Sequence, residues 1–249
     1  AGHAAELARE HGAKYEWVFT LGGDGTAPDV IGALAGGGPS VGVLPGGTGN
    51  LLARALGIPM DLERAVPALL NGRERRMDLG GLADGRHFII GLGVGVDEQM
   101  IANAATEWKR RVGFLAYFWS GTMAGLKLEQ IRYRLTCDGV VREGEAISVL
   151  VANLGTVLGF INLGKNIAPD DGKMDVILFS PRNVLEALRA FGMMMMGNAA
   201  SDPCISYVSG SQIRLETTPP RRAQADGELL GLTPLDITVR AGAARLLVP

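Results

Sequence analysis

Hydrophobic and polar positions follow two different periods along this chain. In the first third they follow a helix–strand alternation. Residues 1–13 (AGHAAELAREHGA) have the spacing of the end of an amphipathic helix, closed at Gly12. Residues 16–21 form a short apolar run that predicts a strand. Residues 27–35 predict a helix with Pro28 and Asp29 in its first turn, where both are favoured. Residues 41–44 predict a second, buried strand. Residues 51–56 predict a helix stopped by Gly57 and Pro59. A further helix is expected over residues 61–71, kinked or shortened by Pro67. Strands alternating with helices predict a parallel α/β sheet.

From about Arg75 the period becomes two. RRMDLGGLADGRHFIIGLGVGV places strand-like runs around Asp84-Gly85. IRYRLTCDGVVREGEAISVLVAN alternates apolar and polar residues around Asp138-Gly139, a hairpin signal. KMDVILFSP, SQIRLETT and LDITVRAGAARLLV add strands, and helices are expected over residues 106–126 and 184–196. The predicted fold class is therefore α/β plus β. Residues 1–77 form an α/β unit and residues 78–249 an antiparallel β unit with helical insertions.

Composition narrows the function. The 249 residues are 47% hydrophobic with a formal charge of -2, enough for a sizeable core and without the basic excess of a nucleic-acid protein. Cys137 and Cys204 are the two cysteines, so there is neither a disulfide framework nor a CxxC metal pair, and reduced thiols of a cytoplasmic protein are the expectation. No apolar run reaches the ~20 residues of a membrane-spanning helix. His3, His11 and His87 lack metal-ligand spacing. The Met193–Met196 run reads as adaptable helix core or as lining for a lipid. Residues 106–119 join basic side chains to aromatics, which suits a packed helix and a peripheral membrane contact equally.

Two glycine-rich stretches carry chemistry. GGDGT, Gly22 to Thr26, and PGGTGN, Pro45 to Asn50, each follow a buried strand and precede a helix. Glycine lets backbone approach a ligand closely, and helix N-termini attract phosphate. On neighbouring parallel strands the two loops would lie side by side at the carboxyl edge of the sheet, where such sheets bind ligands. Asp24 would repel a phosphate, and makes sense with Mg²⁺ between them. Neither stretch is a GK[ST] P-loop or a GxGxxG. On the residues alone, Asp226-Gly227 reads as one more hairpin turn.

GGDGT followed by VGVLPGGTGNLLARALGIP resembles the diacylglycerol kinase and sphingosine kinase superfamily, including the bacterial YegS-like lipid kinases. RRMDLGGL, FIIGLGVGVD, KRRVGFLAYF, APDDGKMDVILF and ADGE continue the resemblance in family order over essentially the whole chain. It implies an N-terminal nucleotide-binding domain, a C-terminal β-sandwich lipid-substrate domain, and transfer of the γ-phosphoryl group of ATP to a lipid hydroxyl with Mg²⁺. The acceptor would be a diacylglycerol, a sphingoid base or a similar lipid alcohol. Gly22, Gly23, Asp24, Gly25 and Thr26 would form one phosphate loop, and Gly47, Thr48 and Asn50 belong to the second. Asp24 and Asp78 would organise Mg²⁺. Asp226 and Glu228 would share the general-base role, with the choice between them open. The Asp171 side chain and the carbonyls near Ala168 and Lys173 would hold a structural Mg²⁺. Leu51 stands where many relatives have an aspartate, and Asp29 where a glutamate is common.

The chain opens in the helix before the GGDGT strand, which implies a member lacking the family's first strand and loop. Two other functions stay open: a catalytically impaired nucleotide- or lipid-binding protein, and an NAD kinase-like enzyme, which the second loop disfavours. Monomer and homodimer are equally compatible with the sequence.

Overall fold

The computed structural model describes residues 2–95, 129–157, 161–164 and 166–249. The expected helix over residues 106–126, and with it the membrane-contact reading of 106–119, lies outside the described residues. None of the described helices is long and apolar enough to cross a membrane.

The first third follows the predicted alternation. Helix α1 (His3–His11) precedes β1 (Trp17–Gly22), α2 (Thr26–Ala33), β2 (Ser40–Pro45), a five-residue α3 (Leu51–Ala55) and α4 (Leu62–Leu70). Asp61 caps α4 by accepting the Glu63 N–H at 2.8 Å. The helix runs on through Pro67. An interior proline costs about 3 kcal/mol, and here Ala65 and Leu69, both fully buried on the apolar face, set against that cost. Strands β1 and β2 are parallel, with Val18 opposite Val41 and Gly22 opposite Pro45.

The remaining strands are β3 (Arg73–Leu82), β4 (His87–Phe88), β5 (Gly91–Val94), β6 (Ile131–Cys137), β7 (Val140–Ala146), β8 (Ser148–Ala152), β9 (Thr156–Val157), β10 (Ile161–Asn162), β11 (Met174–Phe179), β12 (Ile205–Gly210), β13 (Gln212–Thr218), β14 (Arg222–Ala225), β15 (Glu228–Leu232) and β16 (Leu235–Val248). Helix α5 (Val184–Met195) lies between β11 and β12. Asn183 caps α5 by accepting the Glu186 N–H at 2.9 Å, and Glu186 reaches back to the Arg182 N–H at 2.8 Å.

Two sheets organise the molecule. One runs β1-β2-β16-β13-β6-β7, with β3 pairing to β16 and β4 to β3. The other runs β12-β11-β8-β5-β14-β15. They face each other across a core built by Phe88, Leu92, Leu135, Val151, Val176 and Leu215. The second sheet is covered on its other face too. On β11, Met174, Val176 and Leu178 point into the sandwich, while Ile177 and Phe179 join the core shared with α5 and the first unit. A strand buried on both faces reads as an unbroken apolar run, as VILF (residues 176–179) does.

Strand β16 joins the two units. Its first half pairs antiparallel with β13 and with the end of β3. After a register shift between Arg240 and Ala244, its second half pairs with the start of β3 and touches β2 in parallel, Leu246 opposite Val41. The last residues of the chain therefore sit inside the first sheet, and Met77 lies within a strand that spans both units.

Candidate active site

The two glycine-rich loops meet as the alternation of strands and helices predicts. β1 delivers Gly22 and Gly23 to one loop, and β2 delivers Pro45 and Gly46 to the other. The Gly46 N–H donates to the Gly22 carbonyl at 2.9 Å. Beyond that bond the loops are in contact. A Cβ on Gly47 would lie 2.5 Å from the Gly23 Cα, and one on Gly49 would lie 2.4 Å from Asp24 Oδ2. Neither separation is tolerable, so these glycines are required by loop-to-loop packing. Asp24 locks the pair, since its Oδ1 accepts the Leu51 N–H across 27 positions of sequence. Asn50, at φ 50°, closes its own loop by accepting the Gly47 N–H at 2.9 Å and donating to the Gly47 carbonyl at 2.8 Å.

These loops form one wall of a cleft of about 810 Å³. Gly23, Asp24, Gly25, Thr26, Asp29, Gly47 and Thr48 line it from one side, and Asp226, Gly227 and Glu228 from the other. Gly22 and Asn50 are outside the lining and hold the loops through their bonds to Gly46 and Gly47. The structure thus brings together residues more than 175 positions apart, as the sequence-derived site requires.

Asp226 sits in the turn between β14 and β15. Asp226 and Gly227 both have positive φ, 47° and 92°, so the segment is a tight hairpin turn. The turn and the expected base are the same residues. The Asp226 carboxylate points away from its own hairpin and accepts three backbone N–H groups: Ile89 to Oδ2 at 2.7 Å, and Ile90 and Gly91 to Oδ1 at 2.9 and 3.0 Å. Burial pushes this carboxyl up to about 6. The three amides oppose that shift, and the nearby Asp24 charge reinforces it. Glu228 stands at the exposed start of β15.

Asp24 also fits a hard cation. Its Oδ2 is buried without a hydrogen-bond partner while the residue lines the cleft. Mg²⁺ is commonly held by one or two carboxylates, with phosphate oxygens and water completing its shell, and an orphaned carboxylate oxygen on a residue that lines the cleft suits that role.

Asp78 is placed elsewhere. It is buried on β3 outside the cleft lining, and both its oxygens are taken, by the Gly172 N–H and the Gly242 N–H, each at 2.7 Å. It pins β3 to the turn before β11 and to the bend in β16. That turn contains the expected Ala168, Asp171 and Lys173 ligands. There Asp171 Oδ1 accepts the Lys173 N–H at 2.9 Å, and Asp170 pairs with Arg75. Among the described residues no three His, Cys, Asp or Glu side chains cluster as a metal site.

Sequence reasoning did not single out the Ile89–Gly91 amides or Asn153 behind them. The amides are backbone groups some 135 positions from the carboxylate they hold, and no side-chain motif announces them.

Residues 1–82 match the diacylglycerol kinase catalytic domain, and residues 91–248 match the YegS C-terminal NAD kinase beta sandwich-like domain. The chain belongs to the diacylglycerol kinase family. Within that lipid kinase family it is 30% identical over 238 residues to a diacylglycerol kinase of Bacillus subtilis, spanning 94% of this chain and 78% of the relative. It is 28% identical to the diacylglycerol kinase of Staphylococcus saprophyticus, over 92% of this chain and 75% of that one. A crystal structure of a putative diacylglycerol kinase from Bacillus anthracis superimposes on the whole chain with a TM-score of 0.87 at 25% identity, 82% of that protein being covered. An NAD kinase from Archaeoglobus fulgidus, solved with ATP, shares the fold at a TM-score of 0.55 and 14% identity, covering 96% of this chain and 80% of that one.

Proposed function

We propose that this chain transfers the γ-phosphoryl group of ATP to the hydroxyl of a lipid alcohol, a diacylglycerol, a sphingoid base or a close relative. The observation that carries this reading is the cleft itself, which sets two interlocked glycine-rich loops opposite one partly buried, amide-cradled carboxylate.

Phosphoryl transfer needs positioning, charge neutralisation and a proton acceptor at the attacking hydroxyl. The N–H groups of Gly23, Asp24, Gly25 and Thr48 would bind and orient the phosphates, while those of Thr26 and Gly47 hold the loops' own shape. Asp24 Oδ2 would hold Mg²⁺, which when bound neutralises phosphate charge. Asp226 would accept the hydroxyl proton, since a carboxyl near 6 is ionised at neutral pH yet basic enough to take a proton. Glu228, exposed beside it, is better placed to contact the acceptor or Arg86 than to serve as base. Residues 1–77 would then serve the nucleotide and residues 78–249 the lipid, with the acceptor reached at a membrane surface.

The test is transfer of label from [γ-³²P]ATP to diacylglycerol, sphingoid-base and other lipid alcohols in mixed micelles. Labelled lipid phosphate is expected. Asp24→Ala and Asp226→Ala should each lower the rate by about 10²-fold or more. Full transfer by the Asp226→Ala protein would overturn the assignment. ATP binding with no transfer to any acceptor would make this a nucleotide-binding protein instead.

A further inference from the structure

Asn153 follows the last residue of β8 and is fully buried. Both hydrogens of its side-chain amide are used. Nδ2 donates to the Asp78 carbonyl at 2.9 Å and to the Ile89 carbonyl at 2.8 Å. Its backbone N–H donates to the Ile90 carbonyl at 3.1 Å. The amide orientation is fixed by this pattern, because the reversed group would aim its oxygen at two carbonyl oxygens. Oδ1 is left buried with no partner. Keeping a buried amide half-satisfied is costly, and such a group calls for a reason.

The reason lies one peptide away. Ile89 and Ile90, whose carbonyls Asn153 holds, are the residues whose N–H groups grip Asp226. The carbonyl side of this segment is anchored by Asn153, and its amide side presents the cradle. The side-chain bond goes to the Ile89 carbonyl, in the peptide that carries the Ile90 N–H, while the bond to the Ile90 carbonyl is main-chain. The anchor is itself tied down, since Asp78 is fixed by Gly172 and Gly242. Nothing in this chain of bonds touches the cleft before Asp226.

We propose that Asn153 is a positioning residue for the Asp226 carboxylate: by clamping the Ile89 and Ile90 peptides it sets the three-amide cradle that aims Asp226 into the cleft. The catalytic part of this proposal rests on Asp226 being the proton acceptor. The structural part does not, and the two are measured separately.

The experiment uses Asn153→Leu, which keeps the branched shape and removes both side-chain donors, and Asn153→Ser, which keeps one donor in case the leucine protein does not fold. In the protein without nucleotide or lipid, ¹⁵N–¹H spectra report the Ile89, Ile90 and Gly91 amides. These should move upfield and exchange faster in the variants, as they should in Asp226→Asn. In the transfer assay kcat should fall about 10- to 100-fold, the size expected when a reacting group is misplaced by about 1 Å, while the KM for ATP stays within about twofold. Unmoved amide resonances overturn the proposal whatever the activity. Displaced amides with an unchanged kcat overturn the positioning role. If the unmodified protein transfers no phosphate, the kinase reading fails, and the amide spectra still decide whether Asn153 sets the cradle.

Discussion

Asp138-Gly139 and Asp226-Gly227 are the same turn used twice. In each, aspartate and glycine take positive φ, 46° and 83° in the first, 47° and 92° in the second. In each, the carboxylate reaches across to backbone N–H groups of a distant strand. Asp138 accepts from Gln212 at 2.8 Å and from Ser211 at 3.0 Å, and Asp226 accepts from the Ile89–Gly91 segment. Yet their acidities move in opposite directions. The Gln212 and Ser211 amides hold Asp138, exposed to water, below the usual carboxylate range. Burial raises Asp226 to about 6 against the pull of three amides, with Asp24 adding to the rise. Equal hydrogen bonding therefore does not set acidity here; the surroundings of the carboxylate do. One turn is a structural clip, and the other is built at the edge of a cleft.

The widest separation between the two should appear in turnover. Asp226→Asn is expected to lower the transfer rate by about 10²- to 10⁴-fold, whereas Asp138→Asn should leave kcat and KM as they are. Equal losses in the two variants would erase the distinction.

A pH series sharpens it. Below about pH 6 the rate should fall tenfold per unit as Asp226 gains its proton, giving an acid limb near 6 in kcat/KM. Stability should respond with opposite signs. Asp226 has a folded pKa above its ordinary value, so folding favours its protonated form. The stability this lends is complete below about pH 4 and is lost as pH rises through about 6. Asp138 lends stability above the ordinary carboxylate range, and this is lost on acidification. Urea melts of wild type and Asp226→Asn should therefore diverge by about 2–3 kcal/mol between pH 4 and pH 7. A pH-independent difference would show that Asp226 titrates normally.

The smallest effect is on the glycines. Gly139→Ala and Gly227→Ala should each cost about 1–2 kcal/mol, because alanine is strained at positive φ. Thermal melts should show similar losses, and turnover should drop in the second variant alone.

This pair also marks what could be read from the chain. The glycine-rich loops were legible because their context, a buried strand before and a helix after, is local. The Asp226-Gly227 turn was legible for the same reason. Sequence reasoning set turn and base against each other, whereas the Asp226-Gly227 turn also lines the cleft, so the two readings do not exclude one another. Asn50 was assigned to the nucleotide loop, and its described bonds close that loop onto Gly47. Asp78 was grouped with Asp24 as an acidic residue, but its environment is set by Gly172 and Gly242, which no local pattern joins to it. The cradle and Asn153 were illegible because they depend on backbone atoms and on a β5–β8 pairing, Gly91 opposite Ala152, across some 60 positions.

Strand β16 bears on how the molecule is made. Its final residues, Ala244 to Val248, lie between β2 and the first half of β3. During synthesis β1 and β2 are made some 200 residues before Ala244 to Val248, the segment that joins their sheet to β3. The unit that carries the two loops cannot close its sheet by itself. It waits for residues 244–248, and long-range pairing of this kind slows folding and leaves sheet edges open meanwhile. A nascent chain stalled before Ala244 would hold both glycine-rich loops on an unfinished sheet.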